Sequence, residues 1–151
     1  MSLKLENNVL NNLEKHAEAD YPNECCGFLF GKDGEQRVVT ASRQTENKSD
    51  GNQRRRFQID PKAYRDAEQF ADENDLDFLG IYHSHPDHPA EPSEHDRAVA
   101  MPLFSYIIIS VQKGKTDVIR SWRLNEERQF DEEFIVNERI DFLSEKWNQN
   151  H

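Results

Sequence analysis

Only two cysteines, Cys25 and Cys26, occur in 151 residues, and they are adjacent. Neighbouring cysteines rarely close a disulfide, so nothing here asks for an oxidising compartment. Long hydrophobic runs are missing as well. The longest apolar stretch, Tyr106 to Ile109 with Val111 beyond Ser110, is far too short for a membrane span. Met1-Ser2-Leu3-Lys4-Leu5-Glu6 lacks the apolar segment of a signal peptide, and a cytoplasmic protein with no membrane partner is expected. Basic residues are outnumbered, 19 against 29 acidic, and the formal net charge of −10 repels polyphosphates at long range. Nucleic acid is therefore not an expected partner. No low-complexity stretch and no internal repeat is evident, so one domain over residues 1–151 is the expectation.

What remains is a chain of alternating helix and strand signals. Leu5, Val9, Leu10, Leu13 and Ala17 recur at helical spacing and predict a helix over about 4–19, broken by Tyr21-Pro22-Asn23. Cys25 to Phe30, a turn at Asp33-Gly34, and Arg37 to Ala41 predict a β-hairpin. Arg43 to Gln53 is polar throughout and reads as a mobile loop, and Arg55 to Ile59 as a strand. Asp60-Pro61 is a helix start, with Asp60 as N-cap and Ala63, Ala67, Phe70 and Ala71 as the buried stripe. Further strands are predicted at Phe78–His83, Phe104–Val111 and Thr116–Leu124, with a short helix over Ser93–Ala100. Phe130 to Val136 fits strand or helix equally, and Ile140, Leu143 and Trp147 predict a closing helix over about 138–148. Strands interleaved with helices imply the α/β class, a mixed sheet flanked by helices.

The chemistry is concentrated in one stretch. His83 and His85 lie two apart in His83-Ser84-His85-Pro86, so on an extended backbone both imidazoles leave one face. Asp96 falls in the first turn of the helix opened by Pro92-Ser93. Two imidazole nitrogens and one carboxylate oxygen leave a fourth tetrahedral position of a zinc ion open to water, the composition of a catalytic site. Ser93-x-x-Asp96 also reads as a capping box, which would fix the helix that aims Asp96. The remaining histidines are expected to be bland: His88 a solvated loop residue, His95 exposed, His16 and His151 incidental. Cys25 and Cys26 are expected to pack in a core. Arg54-Arg55-Arg56 reads as part exposed and part paired with the acidic surface, with a second reading in which it docks a substrate carboxylate.

His83-Ser84-His85-Pro86 followed by Ser93-Glu94-His95-Asp96 resembles the JAMM motif of the MPN⁺ metalloprotease and deubiquitinase family. Glu24-Cys25-Cys26-Gly27-Phe28-Leu29-Phe30-Gly31 resembles the segment in which that family places an acidic residue before its first core strand. Phe57-Gln58-Ile59-Asp60-Pro61 and Leu79-Gly80-Ile81-Tyr82 also match family segments, and the likeness spans about residues 5–125. The resemblance implies an MPN fold related to that of cytidine deaminases. It implies that His83, His85 and Asp96 hold one zinc ion per chain, that Glu24 is the general base and acid, and that Ser93 stabilises the oxyanion. No long insertion separates the motifs, so the chain is similar to the small bacterial branch of the family. That branch implies a ubiquitin-like sulfur-carrier protein with a C-terminal diglycine as partner, trimmed at its tail by peptide or isopeptide hydrolysis.

Three other functions fit less of the sequence. A non-catalytic MPN scaffold would lack the ligands that are all present here. A DNA-associated protein of the RadC kind shares a His-x-His-Pro motif, but the charge of −10 and the lack of a helix-turn-helix segment oppose it. A zinc deaminase needs a Pro-Cys-x-x-Cys pair, which this chain does not contain. The identity of the carrier and the oligomeric state are not legible in the sequence.

Overall fold

Ten elements position the site, and the computed structural model describes residues 1–137 of the chain. In order they are β1 (Ser2–Leu5), α1 (Asn7–Asp20), β2 (Cys26–Lys32), β3 (Arg37–Thr45), α2 (Pro61–Glu73), β4 (Asp77–Pro86), α3 (Glu94–Val99), β5 (Ser105–Gln112), β6 (Lys115–Leu124) and β7 (Phe130–Val136). The strands form one mixed sheet in the order β1-β3-β2-β4-β5-β6-β7, closed into a barrel where β1 pairs in parallel with β7. The expected α/β class is thus the observed one. The predicted closing helix, about 138–148, and His151 lie outside the described residues. Among the described residues no helix is long and apolar enough to cross a membrane.

Each face of the sheet carries its own core. Val9, Leu10, Leu13 and Ala17 of α1 pack with Leu29, Val39, Leu79, Tyr82, Ile107 and Ile109 on one face. Ala67 and Ala71 of α2 pack with Cys26, Phe28, Phe30, Ile81 and Tyr106 on the other. Because β4 is covered on both sides, its buried run is continuous from Leu79 to Pro86. Gly80 must be glycine, since a Cβ there would sit 1.9 Å from the Ser105 carbonyl oxygen of the adjoining β5.

Three expectations need correction, and one left open is settled. The first helix starts at Asn7, because Leu3 and Leu5 alternate inward from a strand instead of continuing the helical stripe. That strand gains ladder bonds from β3 and β7, long-range pairing that a local periodicity cannot display. Phe130–Val136 resolves as strand for the same reason. Arg55 to Ile59 is no strand. Phe57 and Ile59 do point inward, but the backbone bonds go to the side chain of Asn47 and to Lys48 in place of a neighbouring strand. The polar segment from Arg43 is strand as far as Thr45, and beyond it Gln53 Nε2 donates to the backbone oxygens of Asn47 and Ser49.

Candidate metal centre

The end of β4 and the start of α3 bring the chemistry-bearing residues together. Period-two alternation places His83 and His85 on the α2 face of the sheet and Ser84 on the α1 face. There Ser84 Oγ accepts the Cys25 N–H at 2.8 Å. Cys26 of β2 is in register with His83, and continuing that antiparallel pairing sets Glu24 opposite His85. One ligand atom each from Glu24, His83 and His85 lie within 4.8 Å of one another. A separation of 59 residues in sequence is closed by one strand pairing.

Asp96 arrives from the other side. Ser93 Oγ accepts the Asp96 N–H at 3.1 Å and Asp96 Oδ2 accepts the Ser93 N–H at 2.9 Å, a complete capping box. The same carboxylate faces both imidazoles, with Oδ1 at 3.3 Å from His83 Nε2 and Oδ2 at 3.1 Å from His85 Nε2. The two Nε2 atoms are 3.2 Å apart. The loop between strand and helix is pinned throughout. His85 Nδ1 donates to the Pro89 oxygen at 2.8 Å, Trp122 Nε1 to the Ala90 oxygen at 3.0 Å, and Ser110 Oγ to the His88 oxygen at 2.6 Å.

A carbonyl oxygen can only accept, so the His85 proton sits on Nδ1 and the Nε2 lone pair faces the cluster. Two imidazole nitrogens 3.2 Å apart, each facing one oxygen of the same carboxylate at 3.1 or 3.3 Å, form a donor set that a small divalent cation fits. All four side chains are buried: Glu24 is 4% exposed, His83 0%, His85 8% and Asp96 6%. His83 is further held by the Phe57 ring, stacked on it with centroids 4.4 Å apart, and its Nδ1 has no hydrogen-bond partner among the described residues.

The electrostatics follow from burial and charge. Burial pushes the His83 imidazole down, against the pull of Asp96. Burial alone would raise Asp96, but the His83 imidazole beside it and the N–H donated by Ser93 outweigh it and hold the carboxyl well below its usual range. Glu24 has no such donors. Burial, with the charge of Asp96 added, pushes its carboxyl up to about 9.

The structure therefore brings together Glu24, His83, His85, Ser93 and Asp96, and leaves the other histidines apart. His88 is exposed, as expected. His95 is half-buried instead of exposed, its ring edge-on to Phe57 at 6.4 Å. His16 is not incidental either: it is buried on the α1 face, with Nδ1 2.7 Å from the Tyr82 hydroxyl. Cys25 and Cys26 are free and buried, and burial pushes both thiols up to about 12, which suits packing. Arg54, Arg55 and Arg56 are exposed, and none forms an ion pair among the described residues.

One residue escaped sequence reasoning altogether. Asn47 Nδ2 donates to the backbone oxygens of Glu24 (3.1 Å) and Arg56 (3.0 Å), while Oδ1 accepts the N–H groups of Ser49 (2.9 Å) and Gln58 (3.1 Å). It joins the segment carrying Phe57 to the residue carrying the candidate base. An asparagine in a polar loop carries no signal of this, since its partners are backbone atoms far away in sequence.

Comparison with known proteins shows the family and the fold. A family model described as prokaryotic homologs of the JAB domain matches residues 6–125. A desampylase from Haloferax volcanii is 33% identical over 103 residues, covering 68% of this chain and 73% of the relative. A CysO-cysteine peptidase from Mycobacterium tuberculosis is 28% identical over 130 residues, covering 81% and 82%. Among solved structures, protein DSY2949 from Desulfitobacterium hafniense aligns with a TM-score of 0.78 at 33% identity, over 89% of this chain and 91% of that one. AF2198, a JAB1/MPN domain protein from Archaeoglobus fulgidus, shares the fold at 16% identity and a TM-score of 0.56, over 89% and 98%. With a family model matched across most of its length, the chain belongs to the prokaryotic JAB-domain family.

Proposed function

We propose that this chain is a zinc-dependent peptidase that cuts at the C-terminal tail of a ubiquitin-like sulfur-carrier protein ending in diglycine. The observation that carries the proposal is the convergence of His83, His85 and Asp96 at 3.1–3.3 Å, with the Glu24 carboxyl beside them. The names of two relatives, a desampylase and a CysO-cysteine peptidase, support a peptidase and a small-protein substrate.

His83 Nε2, His85 Nε2 and the Asp96 carboxylate would hold one zinc ion. When bound, zinc supplies a Lewis acid that polarises the scissile carbonyl and makes water a nucleophile near neutral pH. Glu24 would take a proton from the attacking water and return it to the leaving amine. Its place beside the two imidazoles suits the transfer, and burial makes its carboxyl a better proton holder than a solvated glutamate for the return step to the leaving amine. Ser93 Oγ spends a lone pair on the Asp96 N–H, so its hydroxyl proton remains to be donated to the developing oxyanion. Burial of the cluster excludes bulk water, which strengthens each of these interactions.

The test pairs two measurements. Protein prepared without chelator is assayed for zinc, and a diglycine carrier extended at its tail is weighed by mass spectrometry before and after incubation. One zinc per chain and loss of the extension are expected, both abolished by His83→Ala. Full cleavage by metal-free protein, or by His83→Ala, overturns the proposal.

A further inference from the structure

Residues 46–60 run between β3 and α2 without helix or strand, and a groove of about 680 Å³ opens along them, within the roughly 300–1,000 Å³ usual for ligand sites. Its lining is of two kinds. Arg55 and Arg56 supply guanidinium groups, held together on one turn because both their N–H groups donate to the Asn52 oxygen. Phe57, Ile59 and Tyr64 supply an apolar wall. The ring of Phe57 belongs to both the groove and the candidate metal centre, through its 4.4 Å stack on His83. Arg56 is one Cα step, about 3.8 Å, from Phe57. The groove and the centre are therefore neighbours that share the Phe57 ring as a wall.

Both arginines are uncommitted. Neither forms an ion pair among the described residues, even with Asp50, whose carboxylate shares the lining. Two guanidiniums against one carboxylate leave the groove net positive in a chain whose overall charge is −10. Burial of the arginines within the fold does not explain them, since both are exposed.

We infer that this groove binds the C-terminal residue on the leaving side of the scissile bond, its free α-carboxylate on Arg55 and Arg56 and its side chain against Phe57, Ile59 and Tyr64. The inference rests on the peptidase reading and deepens it. A planar guanidinium donates two parallel N–H bonds to the two oxygens of a carboxylate. A chain terminus presents a carboxylate and a side chain from one Cα, which matches a cationic wall facing an apolar one. The lysine of an isopeptide conjugate has its carboxylate tied up in a protein backbone. The groove thus favours carriers extended by a free amino acid over carriers conjugated to another protein.

The experiment uses the full chain and a diglycine carrier extended by one residue, prepared as the free acid and as the C-terminal amide. Wild-type protein is expected to prefer the acid by about ten- to hundredfold in kcat/KM, carried by KM, in line with charge-assisted hydrogen bonds. Arg55→Ala/Arg56→Ala brings the acid-to-amide ratio to about one, and Arg55→Lys/Arg56→Lys keeps an intermediate ratio because charge is retained without the fork. Cleavage of acid and amide at equal efficiency by wild type overturns the inference while the peptidase reading stands, as does an unchanged preference in the double alanine variant. Cleavage of neither form by zinc-loaded wild type overturns both.

Discussion

Asn47→Ala tests whether the segment over the cleft positions the candidate base. The change removes four hydrogen bonds of 2.9–3.1 Å, two donated to the Glu24 and Arg56 oxygens and two accepted from Ser49 and Gln58. Each is worth roughly 0.5–1.5 kcal/mol net, and at a half-buried side chain the low end applies, so the sum is about 2 kcal/mol. For a chain of this length that lowers Tm by about 4–8 °C, read by a thermal melt. Turnover should fall more than substrate binding. With the Glu24 oxygen released, among the described residues the Glu24 N–H bond to the Gln53 oxygen, 2.7 Å, is what still ties the base to this segment. A displacement of about 1 Å at a catalytic group can cost on the order of a hundredfold; a partial release points to a kcat roughly tenfold lower. Asn47→Asp separates the two effects, since it keeps an acceptor for Ser49 and Gln58 but has no N–H for Glu24. A Tm drop under about 1 °C in the alanine variant refutes the stability reckoning. An unchanged kcat in both variants refutes the positioning argument even if Tm falls.

Two further outcomes are expected. Ser93→Ala breaks one arm of the capping box and should cost about 1 kcal/mol in urea unfolding, yet lower kcat by about a hundredfold if its hydroxyl serves the oxyanion; Ser93→Thr should restore most of both, and a turnover loss no larger than the stability loss defeats the oxyanion role. In metal-free protein the Glu24 carboxyl stands at about 9 against an ordinary 4.5, raised by burial and then by Asp96. The folded state then binds the extra proton, so this group's contribution to stability declines as pH climbs from about 4.5 to about 9. Glu24→Gln should gain on wild type in urea unfolding between about pH 5 and pH 8.5, and a difference that stays flat over that range contradicts the assignment.

The legible parts of the chain are those decided locally. Asp60-Pro61 fixed a helix start because an N-cap acceptor and a proline at the first turn act within four residues, and Asp60 does accept the Lys62 N–H at 2.9 Å. His83 and His85 were readable as a pair because alternation along one strand is a local property. Glu24 was different: its approach to His85 depends on β2 pairing with β4, and only the likeness to a known motif supplied it. Leu5 misleads for the related reason that a single leucine can extend a helical stripe or alternate in a strand, and remote partners decide. Asn47 was invisible because its bonds run to backbone atoms, which no residue type announces; Arg55 and Arg56 were legible as a dock for a carboxylate, but the turn on the Asn52 oxygen that holds them was not.

The Ser93-x-x-Asp96 box shows how a cautious reading and a chemical one can describe the same atoms. As a cap, Asp96 Oδ2 needs to accept the Ser93 N–H; as a metal-facing group, it needs to sit beside the imidazoles. It does both, at 2.9 Å and 3.1 Å. The cap therefore removes the rotational freedom of the carboxylate before any cation binds, and His85 is likewise locked by the Pro89 oxygen. Ordering two side chains in advance spares an ion much of the entropy cost of organising its ligands. The same coupling is a liability, because a helix start that frays carries a ligand with it. Ser93 is exposed and its helix is six residues long, so a substitution in the first turn of α3 reaches the Asp96 carboxylate before it reaches the core.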